Sequence, residues 1–293
     1  MFSGWSSNLR VLVTGGAGFI GSNLVDELVK LKYNVDVLDD FSTGIQANKN
    51  DSANYIIRSI NDDLKDIGDY EVIFHLAAMA RIQPSFDDPL NTIDLNVRGT
   101  ANICDLAVRN KSKLVYAGSS SIYGGKYLNP YAFSKWQGEE ICKMYSSVYG
   151  LSTSIARFFN VYGPRHLSEG PYATVIGIFE RQIINDNFLT ITGDGNQRRD
   201  FTHVNDIVNG LILMSKDNWF GEIFNLGTGV NHSINEIAKI FNHRQKFISK
   251  RPGEAKSTLA DISFSRDRIG YEPKEVIEDY IKNWRKKNIL TRG

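Results

Sequence analysis

The sequence predicts an α/β protein: a doubly wound parallel sheet with a smaller C-terminal region interleaved with it. Short runs rich in β-branched residues alternate with longer stretches in which apolar residues recur at helical spacing. Strands that are separated by helices indicate βαβ units, which form parallel sheets. After Gly163 and Pro164 the turn-forming residues become denser and the periodicity weakens, so we expect a second, smaller region to begin there.

Each predicted strand of the sheet is a short apolar run. The predicted strands are Arg10 to Thr14, Val35 to Leu38, Val72 to Leu76, Lys113 to Ala117 and Ser152 to Phe159. The predicted helices span Ile20 to Val29, Leu95 to Val108 and Ser134 to Tyr149. A helix at Asp206 to Met214 and a strand at Glu222 to Leu226 are expected to return to the first sheet. We therefore predict a first domain of residues 1–165, joined by 201–226, and a second domain of residues 166–293.

The composition excludes several classes of function. The 293 residues carry 34 Lys and Arg against 33 Asp and Glu, a net charge of +1, without the clustered cations that nucleic-acid binding needs. No apolar run approaches the roughly 18 residues that span a bilayer, and the first residues lack the basic-then-apolar order of a signal peptide. Cys104 and Cys142 are too few for a disulfide framework and fit a reducing compartment. We expect a cytoplasmic protein that binds neither nucleic acid nor membrane, and no metal site is predicted.

A glycine motif follows the first predicted strand. In GGAGFIG, Gly15, Gly18 and Gly21 lie between strand and helix. Glycine permits a tight turn and the close approach of a pyrophosphate, while the helix N-terminus offers free N–H groups to the phosphates. Asp39 ends the second strand near the expected spacing of about 20 residues, where a carboxylate accepts ribose hydroxyls and repels a 2′-phosphate. The sequence therefore predicts a dinucleotide site that prefers NAD to NADP.

A possible acid–base group lies farther along the chain. Tyr131 and Lys135 are four residues apart in a helical stretch, so their side chains share one face. A tyrosine of ordinary pKa, about 10, is rarely ionised at neutral pH, but a nearby cation lowers that pKa and makes the phenol a usable base. Ser119 lies at the strand end where ligands bind in such sheets. Taken alone, Tyr131 and Lys135 also fit an ordinary amphipathic helix, and Ser119 also fits a turn. The glycine motif favours the catalytic interpretation.

Motifs along most of the chain, from about Arg10 to Trp284, resemble those of the extended short-chain dehydrogenase/reductase family. The motifs are GGAGFIG at 15–21, HLAA at 75–78, SSSIYG at 119–124, YAFSK at 131–135, RFFNVYGPR at 157–165, GDGNQRRDF at 193–201, NLGTG at 225–229 and RPGE at 251–254. The nearest resemblance is to NAD-dependent nucleotide-sugar epimerases and dehydratases, UDP-glucose and UDP-N-acetylglucosamine 4-epimerases above all. It implies a Rossmann fold, NAD as cofactor and a UDP-sugar as substrate.

The resemblance assigns roles residue by residue. Tyr131 is similar to the catalytic base, Lys135 to the residue that binds the nicotinamide ribose and lowers the tyrosine pKa, and Ser119 to the residue that contacts the sugar hydroxyl. The further cofactor positions that it implies are Phe19, Ile20, Asp40, Ser59, Ile60, Leu76, Ala77, Ala78 and Phe158. The further substrate positions are Ser120 and Thr258 at the sugar, Asn160, Arg199 and Arg251 at the diphosphate, and Glu254 at the ribose. Ser59 and Glu254 both stand where relatives usually carry Asp.

The reaction type follows from two positions beside Ser119. The resemblance implies that every member oxidises the sugar at C4, that dehydratases carry Asp-Glu just after the catalytic Ser or Thr, and that UDP-glucuronate decarboxylases keep a Glu there. This chain has Ser120 and Ser121, which cannot serve as carboxylate acid or base. We expect C4 epimerisation of a UDP-hexose or UDP-N-acetylhexosamine. A 4,6-dehydratase, a 4-ketosugar reductase and a non-catalytic NAD-binding regulatory protein remain as alternatives.

Three further expectations come from the same resemblance. Thr258 aligns with a position whose bulk limits the room for a 2-acetamido group, so its small side chain predicts that N-acetylated sugars are accepted. The loop 124–130 is much shorter than in relatives and borders the sugar. The helices at 95–108 and 134–149 correspond to those that form a four-helix dimer interface, which predicts a homodimer.

Overall fold

A seven-stranded parallel sheet forms the centre of the protein in the computed structural model, which describes residues 9–250, 253 and 255–289. The strands are β1 (Arg10–Thr14), β2 (Asn34–Leu38), β3 (Asn54–Ile56), β4 (Val72–His75), β5 (Lys113–Ser119), β6 (Thr153–Phe158), β7 (Val161–Tyr162), β8 (Leu189–Thr192), β9 (Arg198–Asp200), β10 (Thr202–His203), β11 (Phe220–Leu226), β12 (Asn231–Ser233) and β13 (Gln245–Ile248). In the sheet the order is β11-β6-β5-β4-β1-β2-β3, and every neighbouring pair is parallel. The predicted doubly wound, Rossmann-like sheet is confirmed.

Helices cover both faces of this sheet. They are α1 (Phe19–Lys30), α2 (Ile82–Asp87), α3 (Pro89–Ile93), α4 (Gly99–Asn110), α5 (Pro130–Tyr149), α6 (Val175–Ile184), α7 (Val204–Met214), α8 (Ile234–Phe241), α9 (Ser263–Ile269) and α10 (Ile277–Asn288). On one face α1 and α7 bury Leu24, Leu28 and Leu211 against the strands. On the other face α4 and α5 bury Ile103 and Cys142. Two apolar layers therefore hold the sheet rigid from both sides.

Several elements differ from the sequence prediction; the predicted helix Leu95–Val108 begins as a π-helical turn over Asp94–Arg98 and becomes α4 only at Gly99. Helix α5 begins at Pro130, four residues before the predicted start, because proline has no N–H to lose in the first turn and Asn129 caps that turn. Strand β5 continues to Ser119. The three-residue strand β3 was not predicted, since so short a run carries no period. The earlier start of α5 and the longer β5 place Tyr131 and Ser119 on regular elements.

The C-terminal part of the chain forms a smaller lobe with three two-stranded sheets, β10-β7, β12-β9 and β13-β8. Its apolar core joins α6, α8 and α10 through Phe179, Phe241 and Ile281. Strand β11 lies in the main sheet beside β6, and α7 packs against α1, so the chain crosses between the two parts more than once. The division of the chain at residue 165 stays a prediction. Among the described residues no helix is long and apolar enough to cross a bilayer.

Candidate active site

The glycine-rich turn between β1 and α1 is built so tightly that side chains do not fit. Gly15 has a φ of +70°, and a Cβ there would lie 2.7 Å from the Ala77 backbone nitrogen. A Cβ on Gly21 would overlap the Gly15 carbonyl oxygen. The turn delivers the chain into α1, whose first N–H groups and positive dipole end open on the cleft at the carboxyl ends of the strands. This cradle fits the pyrophosphate of a dinucleotide.

Asp39 follows β2 and closes the other side of the same turn. Its two carboxylate oxygens accept the backbone N–H groups of Ala17 and Phe41, both at 2.9 Å. Burial raises the pKa of Asp39 above its usual value, and these two hydrogen bonds oppose that rise. Each oxygen keeps a second lone pair for a ribose hydroxyl. The carboxylate is therefore fixed in place before any ligand binds.

Nearly all the predicted cofactor residues line one continuous cleft along this edge of the sheet. They are Gly15, Gly18, Phe19, Ile20, Gly21, Asp39, Asp40, Ile60, Leu76, Ala77, Ala78, Tyr131, Lys135 and Phe158. Ser59 is absent from the described lining of the cleft: its hydroxyl accepts the N–H of Asn61 within its own turn, at 3.2 Å. The structure thus groups every predicted cofactor position except Ser59.

Tyr131 and Lys135 face the cleft from the first two turns of α5. Asn129 caps the helix by accepting the N–H of Ala132 at 2.7 Å, which places Tyr131 at the start of the helix. Lys135 is only 3% exposed, and its Nζ lies 4.3 Å from the centre of the Tyr116 ring. Burial lowers the pKa of Lys135 to about 8. The ammonium is therefore held in a dry position one helical turn beyond the phenol.

Ser119 contributes its hydroxyl from the last residue of β5. The hydroxyl accepts the N–H of Ser121 at 3.2 Å, and it lies 2.9 Å from the Ser121 hydroxyl. Burial raises the pKa of Tyr131, while a hydrogen bond with Ser119 and the charge of Arg81 lower it. That Lys135 lowers the Tyr131 pKa stays a prediction. The opposing groups come from β5 and from the segment before α2.

Hydrogen bonds from side chains connect the segment 79–85 to the start of α5. The Ser85 hydroxyl accepts the N–H of Tyr131 at 3.1 Å. The Asn96 side chain binds both backbone groups of Met79, at 2.8 and 3.1 Å, and donates to the Ser134 hydroxyl at 2.9 Å. Ser134 in turn donates to the Tyr131 carbonyl at 2.9 Å. The main chain of Tyr131 and that of Met79 are thereby fixed relative to each other.

The second half of the cleft lies between the sheet and the smaller lobe. Ser120, Asn160, Arg199 and Thr258 line it as predicted. The Thr258 hydroxyl is buried and has no hydrogen-bond partner among the described residues, so a ligand atom in the cleft can satisfy it. Arg251 and Glu254, also predicted to bind substrate, lie outside the described residues.

Several lining residues were not predicted. Strand β8 alternates buried Leu189 and Ile191 with Thr190 and Thr192, which face the cleft, and this period of two is visible in the sequence. Arg81, in contrast, carries no such signal, because its position depends on contacts between distant segments. Its Nε donates to the Tyr172 carbonyl at 3.0 Å across the cleft.

The charges along the cleft suit anionic ligands. Among the described lining residues the carboxylates are Asp39 and Asp40, both at the cofactor end. The cations are Arg58, Arg81, Lys135 and Arg199. Within the described ranges no group of His, Cys, Asp and Glu is arranged to hold a metal ion. A dinucleotide at one end and a nucleotide diphosphate at the other would match this distribution.

Comparison with known proteins supports the same cofactor and substrate chemistry. A protein of Methanocaldococcus jannaschii with the provisional name UDP-glucose 4-epimerase is 36% identical over 96% of this chain and 100% of its own length. A UDP-N-acetyl-alpha-D-glucosaminuronate decarboxylase of Bacillus cytotoxicus is 35% identical over 78% of both chains. The relatives therefore include different reaction types.

Solved structures of nucleotide-sugar epimerases are similar to this chain along nearly its whole length. The UDP-glucose 4-epimerase of Thermotoga maritima with UDP-glucose superposes with a TM-score of 0.91 at 28% identity, over 97% of this chain and all of that one. A UDP-glucuronic acid 4-epimerase of Bacillus cereus, in complex with UDP-glucuronic acid and NAD, gives a TM-score of 0.84 at 29% identity, over 95% and 99% of the two chains. Residues 11–227 match the model of the NAD dependent epimerase/dehydratase family. The chain is an enzyme of that family, and its cofactor is NAD.

Proposed function

We propose that the protein is a UDP-sugar 4-epimerase. The proposal rests above all on one arrangement: Tyr131 and Ser119 line the same cleft, with Lys135 one turn along α5. These groups suit the reversible removal of hydrogen from a carbinol carbon, and the cleft continues from them toward Arg199 and Asn160, which suit a diphosphate.

Each residue has one task in this reaction. The Tyr131 phenolate accepts the proton of the sugar O4 hydroxyl, and the Ser119 hydroxyl hydrogen-bonds O4 as the alcohol becomes a ketone. NAD, when bound, supplies an acceptor that takes the C4 hydride and returns it. Lys135 holds the nicotinamide ribose, while Arg199 and Asn160 hold the diphosphate as the 4-ketose presents its other face. Tyr131 then returns the proton to O4, which completes the inversion with no net oxidation.

The residues beside Ser119 argue against elimination and decarboxylation. Ser120 and Ser121 stand where dehydratases carry Asp-Glu and decarboxylases keep a Glu, and a hydroxyl is too weak an acid or base to replace a carboxyl. Ser121 is also engaged with Ser119 through both its N–H and its hydroxyl. We therefore place this chain with the epimerases rather than with its decarboxylase relatives.

Nuclear magnetic resonance of a panel of UDP-sugars tests the proposal. We expect UDP-glucose and UDP-galactose to interconvert on the NAD-loaded protein, without net accumulation of reduced cofactor. Loss of water, loss of carbon dioxide from a uronate, or net reduction of a 4-ketosugar would instead identify a dehydratase, a decarboxylase or a reductase. Binding of NAD with no reaction of any sugar would favour a regulatory protein.

We also propose that the substrate range includes N-acetylated sugars. Thr258 lines the sugar half of the cleft, its side chain is small, and its hydroxyl has no partner among the described residues. A 2-acetamido group can occupy that space and accept a hydrogen bond from the hydroxyl. Turnover of UDP-N-acetylglucosamine at a rate comparable to that of UDP-glucose is the expected result.

We also propose that the protein is a homodimer and that it is cytoplasmic. Of the two helices predicted to form the interface, α5 carries large apolar side chains that are exposed in the single chain, Met144, Val148 and Tyr149, and the neighbouring α3 adds Leu90 and Ile93. An apolar surface of this kind is typical of an interface between subunits. Light scattering should give twice the mass of one chain, and Val148→Glu should lower it. A monomer at micromolar concentration would contradict the prediction.

A further inference from the structure

Asn129 uses both ends of its side-chain amide. Its Oδ1 accepts the N–H of Ala132 at 2.7 Å and so caps α5, and its Nδ2 donates to the carbonyl of Gly253 at 3.2 Å. The cap fixes the orientation of the amide, because only the oxygen can accept a backbone N–H. The residue is 5% exposed. One buried side chain thus joins the start of the helix that carries Tyr131 to a segment 124 residues farther along the chain.

Gly253 is also held closely by α2. Its φ is +74°, and a Cβ there would lie 3.0 Å from the Phe86 ring and 3.4 Å from the Ile82 side chain. Glycine suits this point because it adopts a positive φ without strain and leaves room for the ring. The Gly253 main chain therefore contacts both α2 and the cap of α5, and Gly253 and Asn129 both line the cleft.

The chain just beyond Gly253 is hydrogen-bonded to β9 of the smaller lobe. The N–H of Arg198 donates to the Lys256 carbonyl at 3.0 Å, and the Arg198 carbonyl accepts the N–H of Thr258 at 3.1 Å. Thr258 lines the substrate half of the cleft. Residues 255–258 are thus anchored to the smaller lobe, whereas α5 packs on the main sheet. The hydrogen bond from Asn129 to Gly253 joins these two halves of the cleft.

The position of this hydrogen bond relates substrate binding to the catalytic helix. In the sequence Gly253 stands between Arg251 and Glu254, for which we predict contacts to the diphosphate and the ribose. Tyr131 follows Asn129 by two residues. A segment that is held in place before the ligand arrives loses less conformational freedom on binding, which strengthens binding.

We propose that Asn129 is a positioning residue that holds the substrate-binding segment at Gly253 against the catalytic helix, and that this hydrogen bond retains the nucleotide sugar through the 4-keto stage. The inference rests on the proposed function and deepens it. When the hydrogen bond is lost, the sugar leaves more readily after the C4 hydride has moved to NAD and the O4 proton to Tyr131. Each escape releases a 4-ketose and leaves reduced cofactor on the protein.

Four variants separate the hydrogen bond to Gly253 from the helix cap. Asn129→Ser and Asn129→Asp keep an oxygen that accepts the Ala132 N–H, but they lose the amide donor to Gly253. Asn129→Ala loses both interactions. Gly253→Ala places a methyl group against the Phe86 ring at a positive φ, so it displaces the Gly253 carbonyl and leaves the cap of α5 unchanged.

Calorimetric titration of the NAD-loaded protein with UDP tests the proposal without turnover. We expect the Kd for UDP to rise about fivefold in Asn129→Ser and in Gly253→Ala, and more in Asn129→Asp, where a carboxylate oxygen would face the Gly253 carbonyl. The Kd for NAD and the melting temperature of Asn129→Ser should stay near those of the unsubstituted protein, whereas Asn129→Ala should melt lower. An unchanged Kd for UDP in Asn129→Ser, or an equal loss of affinity for NAD, would overturn the proposal.

Turnover of UDP-glucose gives the second readout. Reduced cofactor, followed by its absorbance, should accumulate on Asn129→Ser and not on the unsubstituted protein, and KM should rise more than kcat falls. A fall in kcat alone, without reduced cofactor, would mean that Asn129 acts only as a helix cap and would overturn the proposal. If UDP binds with the expected differences but no sugar is epimerised, the proposed function fails while the role of Asn129 in nucleotide binding stands. A protein that does not bind UDP would overturn both.

Discussion

The Glu139 carboxylate receives two hydrogen bonds from the Arg157 guanidinium, at 3.0 and 2.6 Å, one helical turn beyond Lys135. The Glu139 side chain is fully buried and that of Arg157 is 12% exposed. A Cβ on Gly118 would lie 2.9 Å from the Glu139 oxygen, so the strand passes close above the pair. The charge of Glu139 also raises the pKa of Lys135, against the effect of burial. The carboxylate of this ion pair therefore stabilises the charged form of Lys135.

Breaking the ion pair should destabilise the protein. In Glu139→Gln the Arg157 charge is left buried without its partner, and we expect the free energy of unfolding to fall by about 3 kcal/mol. The double variant Glu139→Gln with Arg157→Met removes both charges and should recover part of that loss. Urea denaturation measures both. A single variant as stable as the unsubstituted protein would mean that the pair contributes little.

The glycine turn should tolerate Gly18→Ala far better than Gly21→Ala. Gly21→Ala forces a Cβ into the Gly15 carbonyl oxygen, whereas in Gly18→Ala the Cβ would lie 3.2 Å from the same atom. We expect Gly21→Ala to lower the melting temperature and to abolish NAD binding, and Gly18→Ala to lower it less. Thermal unfolding with and without NAD compares them. Equal effects would contradict the geometry of the turn.

The stability of the cofactor-free protein and its affinity for NAD should both depend on the charge of Lys135. Burial lowers the pKa of Lys135 from 10.5 to about 8, so the folded protein loses this proton before the unfolded chain does. The Lys135 contribution to stability is therefore present above 10.5 and is lost as the pH falls through about 8.

The affinity for NAD should change with pH in the opposite direction to the stability. Only the protonated Lys135 ammonium can donate a charge-assisted hydrogen bond to the ribose. The Kd for NAD should be constant below pH 8 and should rise up to tenfold per pH unit above it. In Lys135→Arg the rise should disappear, since Arg stays protonated. Calorimetric titration across this range decides, and a flat profile in the unsubstituted protein would refute the expectation.

Residue 258 should control the size of the sugar that is accepted. Thr258→Tyr fills the space beside the buried hydroxyl, and we expect it to lower kcat/KM for UDP-N-acetylglucosamine at least about tenfold more than for UDP-glucose. Thr258→Ser keeps the hydroxyl and the small volume, and should retain both activities. Urea denaturation of each variant controls for stability. Equal losses for the two sugars would remove Thr258 from the specificity argument.

The parts of the molecule that could be predicted are those encoded in short stretches of sequence. The glycine turn, Asp39 and the Tyr131 and Lys135 pair each depend on local spacing, and the structure places all of them along one cleft. The start of α5 was misplaced because Pro130 was taken outside the helix, although proline fits a first turn.

The parts that escaped prediction depend on contacts between distant segments. Arg81 is held at the cleft by the carbonyl of Tyr172, which lies 91 residues farther along the chain. No local pattern marks such a residue. The raised pKa of Tyr131 has the same origin, since burial is a property of the folded protein that no local pattern shows.

Epimerisation in deuterated water tests the central claim most directly. If Tyr131 exchanges only the O4 proton while the C4 hydrogen travels to the cofactor and back, the product must keep its original hydrogen at C4. We predict by nuclear magnetic resonance an inverted C4 centre free of solvent deuterium, and no reaction in Tyr131→Phe. Solvent deuterium at C4 of the product, or turnover that survives in Tyr131→Phe, would contradict the account.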